Sequence, residues 1–117
     1  MSKPKAFITQ VPHRRDSETG ALVPAVNIGP ASEHGELVIM LPPQASFFAT
    51  NDLIKILHGH LKDYNYERGD TIICIGDPVI IGAACGILGK IFDHFSMLRW
   101  DREIRRYLKV HVNLRGV

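Results

Sequence analysis

The hydrophobic positions divide the chain into short runs of strand length and two longer segments with helical spacing. Residues 36–41 and 71–75 are apolar almost throughout, which predicts strands covered on both faces. Residues 105–114 alternate polar and apolar side chains, a pattern typical of a half-buried antiparallel strand. Shorter runs predict three further strands, at 7–11, 21–28 and 96–100. Pro24 removes a backbone donor from 21–28, so this run is predicted as an edge or interrupted strand.

Residues 46–64 predict the first helix, because their apolar side chains recur at helical spacing. Thr50 or Asn51 is expected as its N-cap. Phe47 and Phe48 precede that cap and are expected to pack against the core as a hydrophobic staple. The apolar face consists of Leu53, Ile56, Leu57 and Leu61.

Residues 78 to about 94 predict the second helix. Asp77 suits its N-cap, and Pro78 suits the first helical position, where a missing backbone donor costs nothing. Glycine is a poor helix former, so the glycines of this helix predict a close approach to the sheet or to another helix. The small residues are Gly82, Ala83, Gly86 and Gly89.

Polar and glycine-rich segments separate these elements. Residues 12–20 predict a solvated polar loop, 29–35 a turn-rich loop, and 101–104 a turn opened by Asp101. Residues 1–5 are expected to form a flexible amino-terminal segment.

In chain order the elements read β-β-β-α-β-α-β-β, which predicts a single α/β (α+β) domain over residues 1–117. Two strand–helix–strand units imply parallel strands with right-handed crossovers, within a mixed sheet of about five to six strands and two helices. The pattern does not assign the helices to one sheet face or to both. If they share a face, the other is left apolar around Ile73 and Ile75, which predicts a homodimer.

Composition and charge indicate an ordinary globular protein. The chain has 117 residues, is 45% hydrophobic and carries a net charge of +2, too little to indicate nucleic-acid binding by itself. Its longest apolar segment, 78–92, is shorter than the ~20 residues that cross a bilayer. We therefore expect a cytoplasmic protein that does not bind membranes. Cys74 and Cys85 lack CxxC spacing, which favours two buried thiols in a reducing compartment over a disulfide or redox pair.

One candidate ligand site is the strand–helix corner at Gly76, Asp77 and Pro78, with Gly82 one turn later. Ligands collect at the carboxyl ends of parallel strands, and helix N-termini attract anions. This corner would serve a nucleotide or small anion, or an enzyme that acts on one. Neither phosphate-binding fingerprint is present, and Asp77 is itself negative, so a structural cap is the alternative interpretation.

A second candidate is the basic hairpin near the end of the sequence. Arginines interleaved with aromatic residues can contact phosphates, stack on bases or bind a partner protein. In the alternative, Trp100 packs into the core and the arginines pair with Asp101 and Glu103. The candidate partner-binding residues are Arg99, Trp100, Arg102, Arg105, Arg106 and Tyr107.

No residue spacing in the sequence predicts a metal site, a cofactor or a catalytic group. His58 and His60 are two residues apart on a predicted helix and therefore point to different sides. Serines and cysteines lie in no nucleophile motif. The sequence leans towards a non-enzymatic protein without settling whether it is an enzyme.

The segments IGDPVIIG and LRWDREIRRY together resemble a family of small tailed-bacteriophage proteins with the pattern GDPxxIG…LxWDR. The resemblance implies a phage origin and transfers no catalytic role. Together with that origin, the small size, the lack of a catalytic pattern and the basic aromatic hairpin favour a non-enzymatic phage accessory protein in the host cytoplasm. Such a protein would bind a host protein or nucleic acid through the hairpin. The alternatives are a protein that binds a nucleotide or small anion at the corner, and a structural component of the virion. The matching residues are Gly76, Asp77, Pro78, Ile81, Gly82, Leu98, Arg99, Trp100, Asp101, Arg102 and Tyr107.

Overall fold

A computed structural model describes residues 3–45 and 49–117. Within these residues, seven strands, two α-helices and one 3₁₀ helix (η1) form where local sequence and pairing favour them. Their order is β1 (Lys5–Gln10), β2 (His13–Arg15), β3 (Leu22–Pro24), η1 (Gly29–His34), β4 (Glu36–Leu41), α1 (Thr50–Leu61), β5 (Thr71–Ile73), α2 (Pro78–Ile91), β6 (His94–Asp101) and β7 (Arg106–Asn113).

The main sheet has five strands in the order β4-β1-β5-β6-β7. The first four are parallel to one another, and β7 pairs antiparallel with β6. Strands β2 and β3 form a separate two-stranded hairpin. This arrangement confirms the predicted α+β class, with a mixed sheet and two α-helices in one small domain.

Both α-helices lie on the same face of the sheet. The crossovers from β4 to β5 and from β5 to β6 run in the same direction, so right-handed connections place α1 and α2 together. Leu57 of α1 and Leu88 of α2 are fully buried in one core cluster with Phe7 and Ile72 of the sheet. The sheet and the two helices therefore form the main core.

The connection from β1 to β4 runs the opposite way and crosses the other face of the sheet. It carries η1, whose Ala31 is buried in a second cluster with Ile8, Ile73 and Leu98. The face expected to be left apolar around Ile73 is thus partly covered by the chain itself. Homodimerisation stays a prediction.

Local differences from the sequence predictions have physical causes. The segment 12–20 contains β2, because a turn closed by Asp16 and Gly20 pairs it with β3. Residues 29–35 were expected to form a loop, but Gly29–His34 form η1. Strand β4 was expected to be covered on both faces, but it lies at the sheet edge and leaves Ile39 49% exposed.

Helix α1 is shorter than its apolar pattern suggests. It begins at Thr50 after Ala49, so neither predicted N-cap occupies that position. The predicted start at residue 46 and the staple formed by Phe47 and Phe48 lie outside the described residues. The helix ends at Leu61, before the predicted end at residue 64.

Candidate functional site

The strand–helix corner forms as its sequence predicts. Asp77 is the N-cap of α2, and its Oδ1 accepts a hydrogen bond of 2.8 Å from the backbone amide of Val79. Pro78 occupies the first turn of the helix. Gly76 has a φ of 104°, a conformation that glycine adopts without strain. The corner is therefore a well-formed helix start at the carboxyl end of β5.

Gln10 occupies the space beside this corner. Its side chain is almost fully buried, and its Nε2 donates to the carbonyl oxygens of Pro42 and Pro43 at 3.3 and 2.8 Å. Its Oε1 accepts from the amide of Asp77 at 3.1 Å. A Cβ on Gly76 would collide with Oε1 of Gln10. The glutamine thus joins the ends of β1, β4 and β5.

This position is the topological switch point of the sheet. The connection that leaves β1 leads to β4, the neighbour of β1 on one side within the sheet. The next crossover leads to β5, the neighbour of β1 on its other side. Open α/β sheets bind ligands in the crevice between two such strands. Here Gln10 already takes the Asp77 amide, and Asp77 takes the Val79 amide. An anion at the corner would have to displace these bonds.

Gly82 has a different environment from the one predicted. A Cβ at Gly82 or at Gly86 would meet no atom within 4 Å, and both residues are exposed. The prediction that α2 glycines permit a close approach is wrong at these two positions, because they face away from the sheet. Gly89 differs, since its Cβ would lie 3.3 Å from Leu114.

An open cleft lies between the end of β5 and the hairpin formed by β6 and β7. It forms because β5 pairs with β6 at Ile72 and Met97, whereas β6 continues to Asp101. Beyond Ile73 the chain turns towards β1. The amide of Ile75 donates to Oγ1 of Thr9 at 2.8 Å, and that hydroxyl donates to the Ile75 carbonyl at 2.6 Å.

We name this space the β5–β6 cleft; its volume is about 910 Å³. Its walls are largely apolar, and two arginines border it. Ligand pockets of roughly 300–1,000 Å³ are typical of proteins. The cleft is lined by Val26, Asn27 and Pro30, by Ile73, Cys74 and Ile75, by Met97, Leu98, Arg99 and Trp100, and by Arg105, Tyr107 and Val110.

Trp100 lies at the mouth of the β5–β6 cleft and is 41% exposed. Its ring meets Tyr107 on the paired strand at a centroid distance of 5.0 Å, in an edge-to-face arrangement. Tyr107 is itself buried, and that burial raises the pKa of its hydroxyl. Tyr107 therefore orients the tryptophan and offers little surface of its own. The interpretation that places Trp100 in the core does not hold.

The hairpin arginines differ in their surroundings. Arg106 forms a two-pronged ion pair with Glu33 of η1, at 3.2 and 2.8 Å, and this hydrogen bonding lowers the pKa of Glu33. Within residues 3–45 and 49–117, Arg99, Arg102 and Arg105 have no salt bridge.

The acidic residues of the hairpin do not neutralise these arginines. Oδ1 of Asp101 accepts from the backbone amides of Glu103 and Ile104 at 2.9 and 3.2 Å, as the predicted turn requires. Arg105 adopts a φ of 52°, which is uncommon for a residue with a side chain. The positive charge at the tip is therefore exposed beside Trp100.

Sequence reasoning missed the proximity of Cys74 and Cys85, whose Sγ atoms are 3.6 Å apart. A usable signal was present, because α2 folds back over the strand that precedes it. By the period of two, Cys74 points to the same face as Ile72, where α2 lies. Both thiols are free and half-buried.

Two histidines also come together, although their spacing predicts no contact. The rings of His94 and His111 flank Tyr66, with centroid distances to Tyr66 of 4.5 and 5.2 Å. His94 is further hydrogen-bonded to Asp93 at 2.7 Å. Among the described residues, no three potential metal ligands lie close enough together to bind an ion. None of the helices described is both long and apolar enough to span a membrane.

Comparison with known proteins gives one match. A family model described as "Phage Pam3 gp32-like protein" matches residues 4–114. Neither the curated proteins nor the solved structures contain a significant match.

Proposed function

The chain belongs to the family of phage Pam3 gp32-like proteins, and from this premise we propose that it is a non-enzymatic accessory protein of the phage. In the host cytoplasm it binds an extended segment of a host protein in the β5–β6 cleft. The observation that carries this proposal is the side of β6 that β5 leaves unpaired beyond Met97, next to the exposed Trp100. Arginines that form no salt bridge within the described residues lie beside it.

The backbone of β6 supports a peptide as the ligand. In a strand, successive N–H and C=O groups point to opposite neighbours, so those not used by β7 point towards the cleft. An extended peptide can add to such an edge as a further strand, with main-chain hydrogen bonds that supply affinity. The apolar walls would hold alternate side chains of the added strand.

The charge around the β5–β6 cleft suggests an acidic segment. Arg99 and Arg105 line the cleft, and Arg102 lies at the tip of the same hairpin. Arginine forms paired hydrogen bonds with carboxylates, and exposed tryptophan and arginine are the residue types most often found at interface hot spots. In a peptide with acidic side chains beside apolar ones, the acidic side chains would pair with the arginines. The apolar side chains would pack against the walls of the cleft.

A photo-crosslinking experiment tests the proposal. p-Benzoylphenylalanine replaces Val26, which lines the same cleft as Trp100, and crosslinking is carried out in infected cells. We expect a protein adduct that resists nuclease, and the purified partner should bind Trp100→Ala at least about tenfold more weakly. The variant Arg99→Glu/Arg105→Glu should also lose binding. Lys55→Glu/Lys90→Glu makes the same change of charge on the helical face and should bind normally.

Nucleic acid is the outcome that would overturn the choice of partner. Trp100 could stack on a base while the arginines contact phosphates. A nuclease-sensitive adduct, with salt-dependent binding of single-stranded oligonucleotides that requires Trp100, would replace the peptide proposal. Partner binding that is unchanged in Trp100→Ala would remove the cleft from the interaction altogether.

Two alternatives remain as hypotheses and have their own tests. A nucleotide or small anion at Gly76, Asp77, Pro78 and Gly82, bound by a sensor or an enzyme, would raise the melting temperature in a thermal-shift screen. Its site would require Gln10 to move, which makes it the weaker candidate. A structural role in the virion would be indicated by presence of the protein in purified particles, and a homo-oligomer by sedimentation.

A further inference from the structure

Cys74 and Cys85 lie in direct contact although eleven residues separate them. Cys74 follows the end of β5, and Cys85 lies in the middle of α2, which packs over it. A disulfide joins its sulfurs at about 2.05 Å, so the two Sγ atoms, now 3.6 Å apart, must approach by about 1.5 Å.

The two thiols differ in access and in acidity. Cys85 is flanked on α2 by the exposed glycines Gly82 and Gly86, which leave space for a reagent. A hydrogen bond from Cys74 lowers the pKa of Cys85 to about 7, whereas the same contact, burial and charge repulsion raise the pKa of Cys74. The pair shares one proton more easily than it loses two. Cys85 is therefore the thiol that reacts first.

We propose that Cys74 and Cys85 form an oxidisable dithiol that closes into an intramolecular disulfide by exchange with a low-molecular-weight disulfide. The Cys85 thiolate attacks one sulfur of the reagent, forms a mixed disulfide and releases one thiolate. Cys74 then gives up its proton and attacks the Cys85 sulfur, which releases the second half of the reagent. Two protein thiols become one disulfide, and one reagent disulfide becomes two thiols.

The consequence is a reversible covalent link between α2 and the segment that follows β5, at the wall of the cleft. Cys74 also lines the β5–β6 cleft, so oxidation fixes one wall of that space. In a reducing compartment such disulfides are transient and act in redox sensing or catalysis. This inference does not depend on the identity of any partner.

The test treats the folded full-length protein with oxidised glutathione and follows intact mass and free thiols. We expect the wild type to lose both thiols and two hydrogen atoms, without a lasting glutathione adduct and without dimers on a non-reducing gel. A reductant should restore both thiols. Peptide mapping should place the bond between Cys74 and Cys85.

Single variants separate the two roles. Cys74→Ser should retain one glutathione on Cys85, because no neighbouring thiol resolves the mixed disulfide. Cys85→Ser should react much more slowly than Cys74→Ser. A wild type that keeps both thiols, keeps a stable adduct or forms only intermolecular disulfides would overturn the proposal. The measurement on the wild type decides it even if a variant fails to fold.

Discussion

The carboxylate of Asp70 is buried at the start of β5 and is surrounded by hydrogen-bond donors. It accepts from the backbone amides of Lys5 and Asn65 at 2.8 and 2.9 Å. The guanidinium of Arg68 contacts both of its oxygens, with one bond of 2.6 Å. A buried charge is tolerated only when it is paired and hydrogen-bonded in this way. Asp70 thus connects β1, β5 and the loop that follows α1.

Replacing Asp70 with asparagine should lower the free energy of unfolding by about 3–5 kcal/mol. The amide cannot accept from all of these donors, and Arg68 loses its charged partner. Urea denaturation measures the change. Asp63→Asn is the matched control, because the Asp63 carboxylate is exposed and its pairs with Lys5 at 2.8 Å and with Arg68 at 3.6 Å lie at the surface, so little change is expected there. Equal losses in the two variants would contradict this account of Asp70.

At the scale of elements, α2 and the turn that precedes it contain glycines with opposite requirements. Gly82 and Gly86 have ordinary helical conformations and open space where a Cβ would lie. Gly76, before the helix, has a positive φ and no room beside Gln10. Replacing glycine with alanine should therefore stabilise the protein at Gly82 and Gly86 and destabilise it at Gly76.

Gly82→Ala and Gly86→Ala should each raise the free energy of unfolding by about 0.5–1 kcal/mol, since alanine loses less backbone entropy in a helix. Gly76→Ala should lower it, because the backbone is strained and Gln10 must move. Thermal unfolding of the three variants shows whether each substitution raises or lowers the stability of the protein. Destabilisation by Gly86→Ala would show that α2 contacts a surface absent from this structure.

Several elements could be predicted from the sequence because interactions between neighbouring residues determine them. The features that could not be predicted depend on contacts between residues far apart in the sequence. The apolar run 37–41 of β4 and the Asp77–Pro78 cap can be recognised from their neighbours in sequence alone. The bond from Gln10 to the Asp77 amide joins residues 67 positions apart, and no local pattern encodes it. The β5–β6 cleft depends on where β5 leaves the sheet. Its hairpin side was anticipated as a binding surface, whereas the opposite wall was not.

At the scale of the whole molecule, we expect protection from hydrogen exchange to be greatest in the middle of the main sheet. Strand β1 pairs with β4 and β5 and is covered on both faces, with Ile8 fully buried. Strand β2 pairs only with β3, and all three of its residues are exposed. The central strands of the main sheet and the small hairpin of β2 and β3 should therefore unfold locally with very different free energies.

Hydrogen exchange should show this gradient directly. We expect the amides of β1 and β5 to exchange slowest, close to the limit set by global unfolding, and those of β2 to exchange fastest among the strands. Mass spectrometry of peptides, or amide signals in NMR spectra, measures the rates. Protection of β2 equal to that of β1 would mean that the small hairpin is held by contacts that this structure does not contain.

The side chain of Gln10 has a consequence for how the switch point could be used. Its terminal amide fills the crevice as a bound primary amide would, with two carbonyl acceptors and one N–H donor around it. The side chain of Gln10 thus takes the place of a bound ligand and is covalently part of β1. Gln10→Ala would leave a vacancy of that shape, and acetamide added to the solvent should restore much of the lost stability. Apolar molecules of the same size should not.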